Sequence, residues 1–259
     1  MIYLRSILFN LVYYVVSTAL VFVSLPVFAF GNERAGAFIV RAWARIGIVL
    51  LRVIVGTRLE IRGLEHLPPG GAIIASKHQS MFETFALLPR LPRPTYVMKR
   101  ELARIPLWGW YATRAGSITV ERQQGTAALR RLAADVGKAI AAGRQVIIFP
   151  EGTRRAPGAR PDYKGGIAHL YKMTGAPVVP AALNSGLFWP RRRMLRFPGT
   201  IIIEFLPPIP PGLTSRAFLQ RLQAEIEAAS NRLLAETAAA KSPPPMPPEA
   251  GARLANPAV

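Results

Sequence analysis

Gly71-Ala-Ile-Ile-Ala-Ser-Lys-His-Gln-Ser-Met-Phe-Glu83 is the stretch around which the rest of the chain is organised. Its apolar run, residues 72–75, reads as a buried strand that delivers Lys77 and His78 into a turn. Residues 81–88 then read as a short helix. An imidazole therefore stands at a strand end, with a carboxylate, Glu83, just beyond it. If both residues were helical they would lie about 140° apart and never meet. They meet only if His78 stays in the turn and Glu83, in the first helical turn, points back. Glu83 then accepts a hydrogen bond from one ring nitrogen, fixes the tautomer, and leaves the other nitrogen free to take a proton. A second reading stands beside this one: Ser80-Met-Phe-Glu83 fits a capping box, in which Glu83 merely satisfies backbone N–H groups.

Outward from this stretch, apolar runs alternate with helical segments. Strands are expected at 59–63, 72–75, 95–99, 117–121, 145–149, 178–183 and 200–205, and helices at 82–88, 125–142, 165–174 and 215–236. The alternation predicts an α/β domain with a largely parallel central sheet flanked by helices, over residues 57–237. Beyond it, residues 238–259 are rich in proline and poor in apolar bulk, the composition of a disordered tail.

Ahead of it, residues 1–56 read as a membrane-associated helical segment. Residues 6–32 carry no charge, which is enough to cross a hydrocarbon core of about 20 residues. Asn10 and Pro26 leave open a kinked or re-entrant course. Arg5 precedes the stretch, whereas Arg34, Arg41, Arg45 and Arg52 follow it, an excess that predicts a cytoplasmic location for the domain. Those four arginines fall within an arc of about 40° on a helical wheel. A narrow basic stripe on an apolar helix suits the headgroup layer of an anionic membrane; the alternative is a buried helix whose arginines pair with the domain's own carboxylates.

Charge points the same way. In 259 residues, 33 Lys and Arg face 14 Asp and Glu, for a net charge of +19 that attracts polyanions. Cysteine is absent, which excludes disulfides, thiol catalysis and Cys-based zinc sites. The three histidines, His66, His78 and His169, are too scattered to suggest a metal site.

Three further blocks carry chemistry. The alternating stretch Gly116 to Arg122 places Arg122 at a strand end, where a guanidinium can hold a phosphate through two parallel N–H bonds, or simply face solvent. After the strand at 145–149, Pro150-Glu-Gly-Thr-Arg154 turns out of the sheet and presents Glu151, Gly152, Thr153 and Arg154 where open α/β sheets build ligand sites. Glu151 is expected to orient Arg154 or an acceptor hydroxyl; a purely structural Glu–Arg pair is the other reading. Lys164, in Tyr163-Lys-Gly-Gly166 at a helix start, is a further phosphate contact or a solvated lysine. The proline-bracketed run Ala176-Pro-Val-Val-Pro180 is a wall, and the basic cluster Trp189-Pro-Arg-Arg-Arg193 carries no assigned chemistry.

Together these blocks resemble the glycerolipid acyltransferase family, and specifically its bacterial 1-acyl-sn-glycerol-3-phosphate acyltransferases. Four stretches match in the family's order: His78 to Glu83 for His-x4-Asp, Gly116 to Arg122, Glu151 to Arg154 for Glu-Gly-Thr-Arg, and Ala176 to Pro180. The departure is Glu83, where the family usually has Asp. The resemblance implies that His78, aided by Glu83, acts as general base on the free sn-2 hydroxyl of lysophosphatidic acid, which attacks the thioester of acyl-CoA or an acyl carrier protein. It implies that Arg122 and Arg154, with Lys99 and Lys164, grip the acceptor phosphate. It implies no metal and no bound cofactor, and a place at the bacterial cytoplasmic membrane. A close rival keeps the chemistry and changes the acceptor, to lyso-ornithine lipid or another lysolipid. A lipid hydrolase is disfavoured because neither Ser80 nor Ser185 lies in a Gly-x-Ser-x-Gly elbow. A non-enzymatic polyanion binder is disfavoured because aromatics do not interleave with the basic residues of the core as a nucleic-acid stacking face requires.

Overall fold

A computed structural model of the chain describes residues 1–31, 33–121 and 125–256. Its centre is a seven-stranded sheet of β1 (Thr57–Arg62), β2 (Ala72–Ser76), β3 (Pro94–Lys99), β4 (Ile118–Val120), β5 (Gln145–Ile148), β6 (Val178–Leu183) and β7 (Gly199–Phe205). They lie in the order β1-β7-β6-β2-β5-β3-β4. Every neighbouring pair is parallel except β6 with β7. The expected largely parallel α/β sheet is thus present, and β2, which carries the opening stretch, sits in its middle between β5 and β6.

Strict alternation divides the sheet's side chains between two cores. On one face Ile73, Ala75, Val146 and Ile148 pack with α6 (Gly125–Ala141), α7 (Gly166–Thr174) and α9 (Ser215–Ala238). On the other, Ile74, Ile147, Val179, Ala181 and Leu183 join a cluster with Phe9, Tyr13, Ala44, Leu51 and Phe85. Those last residues belong to α1 (Ile2–Phe30), α2 (Glu33–Leu50), the π-helical turn Leu51–Val55 that closes α2, and α3 (Glu83–Ala86).

The N-terminal segment is therefore a helical hairpin that forms the second helical layer of the sandwich. The two helices run antiparallel: Gly47 packs on the Tyr13 ring, Trp43 Nε1 donates to Ser17 Oγ at 2.9 Å, and Gly36 lies beside Phe28. A Cβ at position 47 would come within 3.0 Å of the Tyr13 ring, so glycine is what lets the helices approach there. Contacts with the domain run along nearly all of α1. Near its start Ser6 Oγ and Asn10 Nδ2 donate to the carbonyls of Arg196 and Met194 at 3.2 and 2.8 Å. Near its end Tyr111 and Arg114 of α5 (Trp108–Arg114) hold Val21, Ser24 and Phe28. The opposite face is bare: Ile2, Leu4, Ile7, Leu8, Leu11, Val15, Phe22 and Val23 are exposed.

Two expectations need amending. The basic stripe does not act as a unit, because Arg41 donates to the carbonyls of Leu91 and Pro92, whereas Arg34, Arg45 and Arg52 are exposed. Arg34 also lies near the hairpin's turn, at the start of α2. The tail expected to be disordered instead folds: α10 (Pro248–Ala255) packs on α9, Pro244 and Ala250 are buried, and Met246 and Leu254 join the core. Proline-rich composition weakens helix and strand pairing, but a few apolar side chains suffice when a preformed surface receives them. The short helices α4 (Arg100–Ala103), α5 and α8 (Ser185–Phe188) have no counterpart among the expected elements.

Candidate active site

The carboxyl ends of β2, β5, β3 and β4 lie side by side along one edge of the sheet, and the loops that leave them carry the expected residues. Lys77 N–H makes the last ladder bond of β2, to Ala181 O at 2.8 Å, and the chain then turns out of the sheet at His78. The imidazole stacks on Phe149, just past the end of β5, with centroids 3.9 Å apart and planes inclined by 17°. Its Nδ1 faces Glu83 Oε1 at 2.9 Å, which leaves Nε2 as the nitrogen turned away from the carboxylate.

Glu83 makes both kinds of contact read from its spacing. Oε1 also accepts from the backbone N–H groups of Gln79 and Ser80, each at 2.7 Å. Oε2 accepts from Ser80 Oγ at 3.1 Å and from Ser185 Oγ at 2.7 Å. One carboxylate thus joins the imidazole, the turn and α8. Glu83 is fully buried, His78 is 14 % exposed. Burial alone would raise the Glu83 pKa, but the hydrogen bond and charge of His78, the Ser80 N–H and the Ser185 hydroxyl outweigh it and hold the carboxyl below its usual range. An ionised Glu83 fixes Nδ1 as the protonated nitrogen, and Nε2 is then the basic one.

The Glu-Gly-Thr-Arg turn divides its residues by burial. Glu151, 1 % exposed, does not meet Arg154; it accepts from Lys77 Nζ at 3.0 Å. Lys77, 3 % exposed, also donates to Glu227 of α9 at 2.6 Å, and Tyr163 OH donates to the same Glu227 oxygen at 2.9 Å. The expectation that Glu151 orients Arg154 or an acceptor hydroxyl thus gives way to a buried pairing. An ammonium one residue before His78 is the nearer and better-enclosed partner. Burial pushes the Glu151 pKa up, opposed by Lys77 and reinforced by Glu227. Arg154 is half-buried; its guanidinium makes no hydrogen bond or ion pair with any described residue, while its carbonyl accepts from Arg191. Gly152 turns at φ +64 and Thr153 is exposed.

Of the other expected phosphate contacts, Lys99 ends β3 with its side chain exposed, its backbone in register with Val120. Lys164, with its side chain exposed, donates to both oxygens of Asp162 at 2.7 and 2.8 Å, a carboxylate that it shares with Arg155. Arg122 lies outside the described residues. Glu121, just before it, pairs with Arg100.

Several participants have no local signal. Ser185 is far from Glu83 in sequence, and Glu227 sits in the middle of a long amphipathic helix; only the tertiary fold brings them in. Phe149 reads simply as a strand residue. The Lys77 ammonium is visible beside His78, but its inward direction follows from its place at the end of a strand buried on both faces.

A model of the acyltransferase family matches residues 58–184. A 1-acyl-sn-glycerol-3-phosphate acyltransferase from Pseudomonas aeruginosa is 37 % identical over 206 residues, 80 % of this chain and 79 % of that one. The human 1-acyl-sn-glycerol-3-phosphate acyltransferase alpha is 30 % identical over 174 residues, 66 % of this chain and 62 % of that one. The crystal structure of the 1-acyl-sn-glycerophosphate acyltransferase PlsC from Thermotoga maritima is similar with a TM-score of 0.74 at 22 % identity, over 93 % of this chain and all of that one. At that identity the likeness speaks for the fold.

Proposed function

The chain belongs to the 1-acyl-sn-glycerol-3-phosphate acyltransferase family, and from that premise we propose that it transfers a fatty acyl group from acyl-CoA or an acyl carrier protein to the sn-2 hydroxyl of lysophosphatidic acid. The product is phosphatidic acid. One observation carries the reading: an imidazole tied through Nδ1 to a fully buried carboxylate stands at a sheet edge, near a half-buried Arg154 that has no acidic partner among the described residues. The two loops that carry them are joined directly, because the N–H of Arg155 donates to His78 O at 2.8 Å.

In this reading Nε2 of His78 takes the proton of the acceptor hydroxyl as its oxygen attacks the thioester carbonyl. The tetrahedral intermediate collapses, the C–S bond breaks, and the imidazolium returns the proton to the departing thiolate. No covalent enzyme intermediate forms. Glu83 does not titrate; it holds the tautomer and stabilises the imidazolium while it exists. Arg154, with Lys99 from the end of β3 and with Arg122, binds the acceptor phosphate, and the fixed distance from phosphate to hydroxyl sets the reacting oxygen at Nε2. The bare face of α1 lies on the lipid surface. The opposite face of the same helix touches the domain from Ser6 to Phe28, roughly 33 Å of helix, so α1 rests in one leaflet beneath the domain rather than crossing alone.

The test is acyl transfer by purified protein, with both thioester donors and a panel of lysolipid acceptors. Lysophosphatidic acid is expected to be preferred, and a preference for lyso-ornithine lipid would move the same chemistry to another headgroup. His78→Ala is expected to lower kcat by about 10²–10⁴-fold without changing the circular dichroism spectrum or vesicle binding. Near-normal turnover by that variant refutes the assignment.

A further inference from the structure

The C-terminal segment ends against the loop that leaves the active site. Gly158 has φ +78, and a Cβ built there would fall 2.5 Å from Glu249 O and 2.7 Å from Ala250 Cα, so the backbones of loop and α10 are in direct contact. Ala250 is fully buried in that contact. On its inner side the same loop leans on the catalytic turn. Arg155 N–H donates to His78 O, and Pro157 is wedged against Gly186 of α8, where an added Cβ would come within 2.9 Å of both the Pro157 ring and Gln79 Cβ. Gly186 N–H in turn donates to Gln79 Oε1 at 3.0 Å. The order of contact is thus α10, Gly158, Pro157, then α8 and the turn that holds His78, with Arg154 at the inner end of the loop.

We propose that residues 239–256 are a positioning strap of the active site, in which α10 presses the 155–158 loop onto the catalytic turn and so sets Arg154 for the acceptor phosphate. The inference rests on the phosphate role given to Arg154 above. Within the domain the loop is held by the Arg155 N–H bond to His78 O, the Pro157 ring, the Arg191 bond to Arg154 O and the Arg155–Asp162 pair, and the outward direction is left to α10. α10 closes that direction, anchored by Met246 and Leu254 in the core rather than by the loop itself. Glycine at 158 is what the contact requires, for its left-handed backbone and for the missing Cβ.

The experiment compares the full chain, a chain ending at residue 238, Gly158→Ala, and the two changes together. Removal of the strap is expected to raise KM for lysophosphatidic acid about tenfold, the scale of one misplaced charge-assisted hydrogen bond, while kcat at saturation changes less. Gly158→Ala in the full chain pushes α10 away and should give the same split. In the shortened chain it should add less, because the atoms its Cβ would strike are gone and only the strain of a left-handed alanine remains. Synthetic peptide 239–256 added in trans should recover part of the lost affinity. An unchanged KM, a fall confined to kcat, or full additivity of the two changes overturns the proposal. If the shortened chain does not fold, Gly158→Ala and Ala250→Leu in the full chain give the same KM readout. Should the unaltered protein not acylate lysophosphatidic acid at all, it is the functional reading that fails, a result distinct from a strap that leaves KM untouched.

Discussion

Glu83 binds its five donors only as a carboxylate. Replacing it by Gln turns an NH₂ group toward donors that need an acceptor and removes the charge that fixes Nδ1–H. Glu83→Gln is expected to lower kcat by at least about 10²-fold in the acyl-transfer assay, with a smaller effect on KM, because the missing help is to the base. The same carboxyl makes the fold sensitive to acid. Its folded pKa lies below the unfolded value, so its contribution is present above the usual glutamate range, about pH 4.3, and is lost as pH falls through the depressed folded value. Denaturation below about pH 4 should therefore be shallower in Glu83→Gln than in the unaltered chain, measured by circular dichroism. At this scale the sequence is informative where neighbours are close along the chain: His78 and Glu83 meet as the turn geometry requires. It misleads where the partner arrives from elsewhere. Proximity along the chain pairs Glu151 with Arg154, three positions on, whereas Lys77 reaches it across adjacent strands.

Among the elements, β2 is legible because alternation and burial act on a few consecutive residues. The hairpin is legible as two apolar helices but not as a layer of the domain, since nothing in a hydropathy pattern distinguishes lipid from the back of a sheet. Phe9, Tyr13 and Leu51 face Phe85, and that whole cluster runs through to Ile74, Ile147 and Leu183. Deleting residues 1–56 uncovers this face. Four large side chains at ~1.5–3 kcal/mol each amount to as much as the whole net stability of a typical domain, about 5–15 kcal/mol. Residues 57–259 expressed alone are expected to aggregate rather than give a soluble enzyme; a monodisperse, active fragment in size-exclusion chromatography would contradict the layered role. The C-terminal helix is hard to read for the opposite reason. Its own sequence cannot support a fold, and it is ordered by the surface waiting for it.

The molecule as a whole presents one greasy and strongly basic side to its surroundings. Exposed Ile7, Leu8, Leu11 and Val15 of α1 lie near Arg5, and the docked loop brings exposed Arg192, Arg193 and Met194 to the same end. Two forces then act together, and salt separates them. Raising ionic strength from about 0.1 M to about 1 M shortens the screening length from ~10 Å to ~3 Å. Sedimentation with anionic vesicles should weaken over that range, while a substantial bound fraction persists on apolar contact; complete release would leave no role for the bare helix face. The sheet's topology has a consequence of another kind. Thr57 lies opposite Gly199, and among the described residues β1 has β7 as its sole neighbour in the sheet. A ribosome adding ~5–20 residues per second makes the first strand and then needs roughly seven to thirty seconds to supply its mate. Throughout that interval the nascent chain carries an unpaired ribbon attached to an oily hairpin, so its biogenesis calls for a chaperone or an early hand-over to the bilayer long before any enzyme exists.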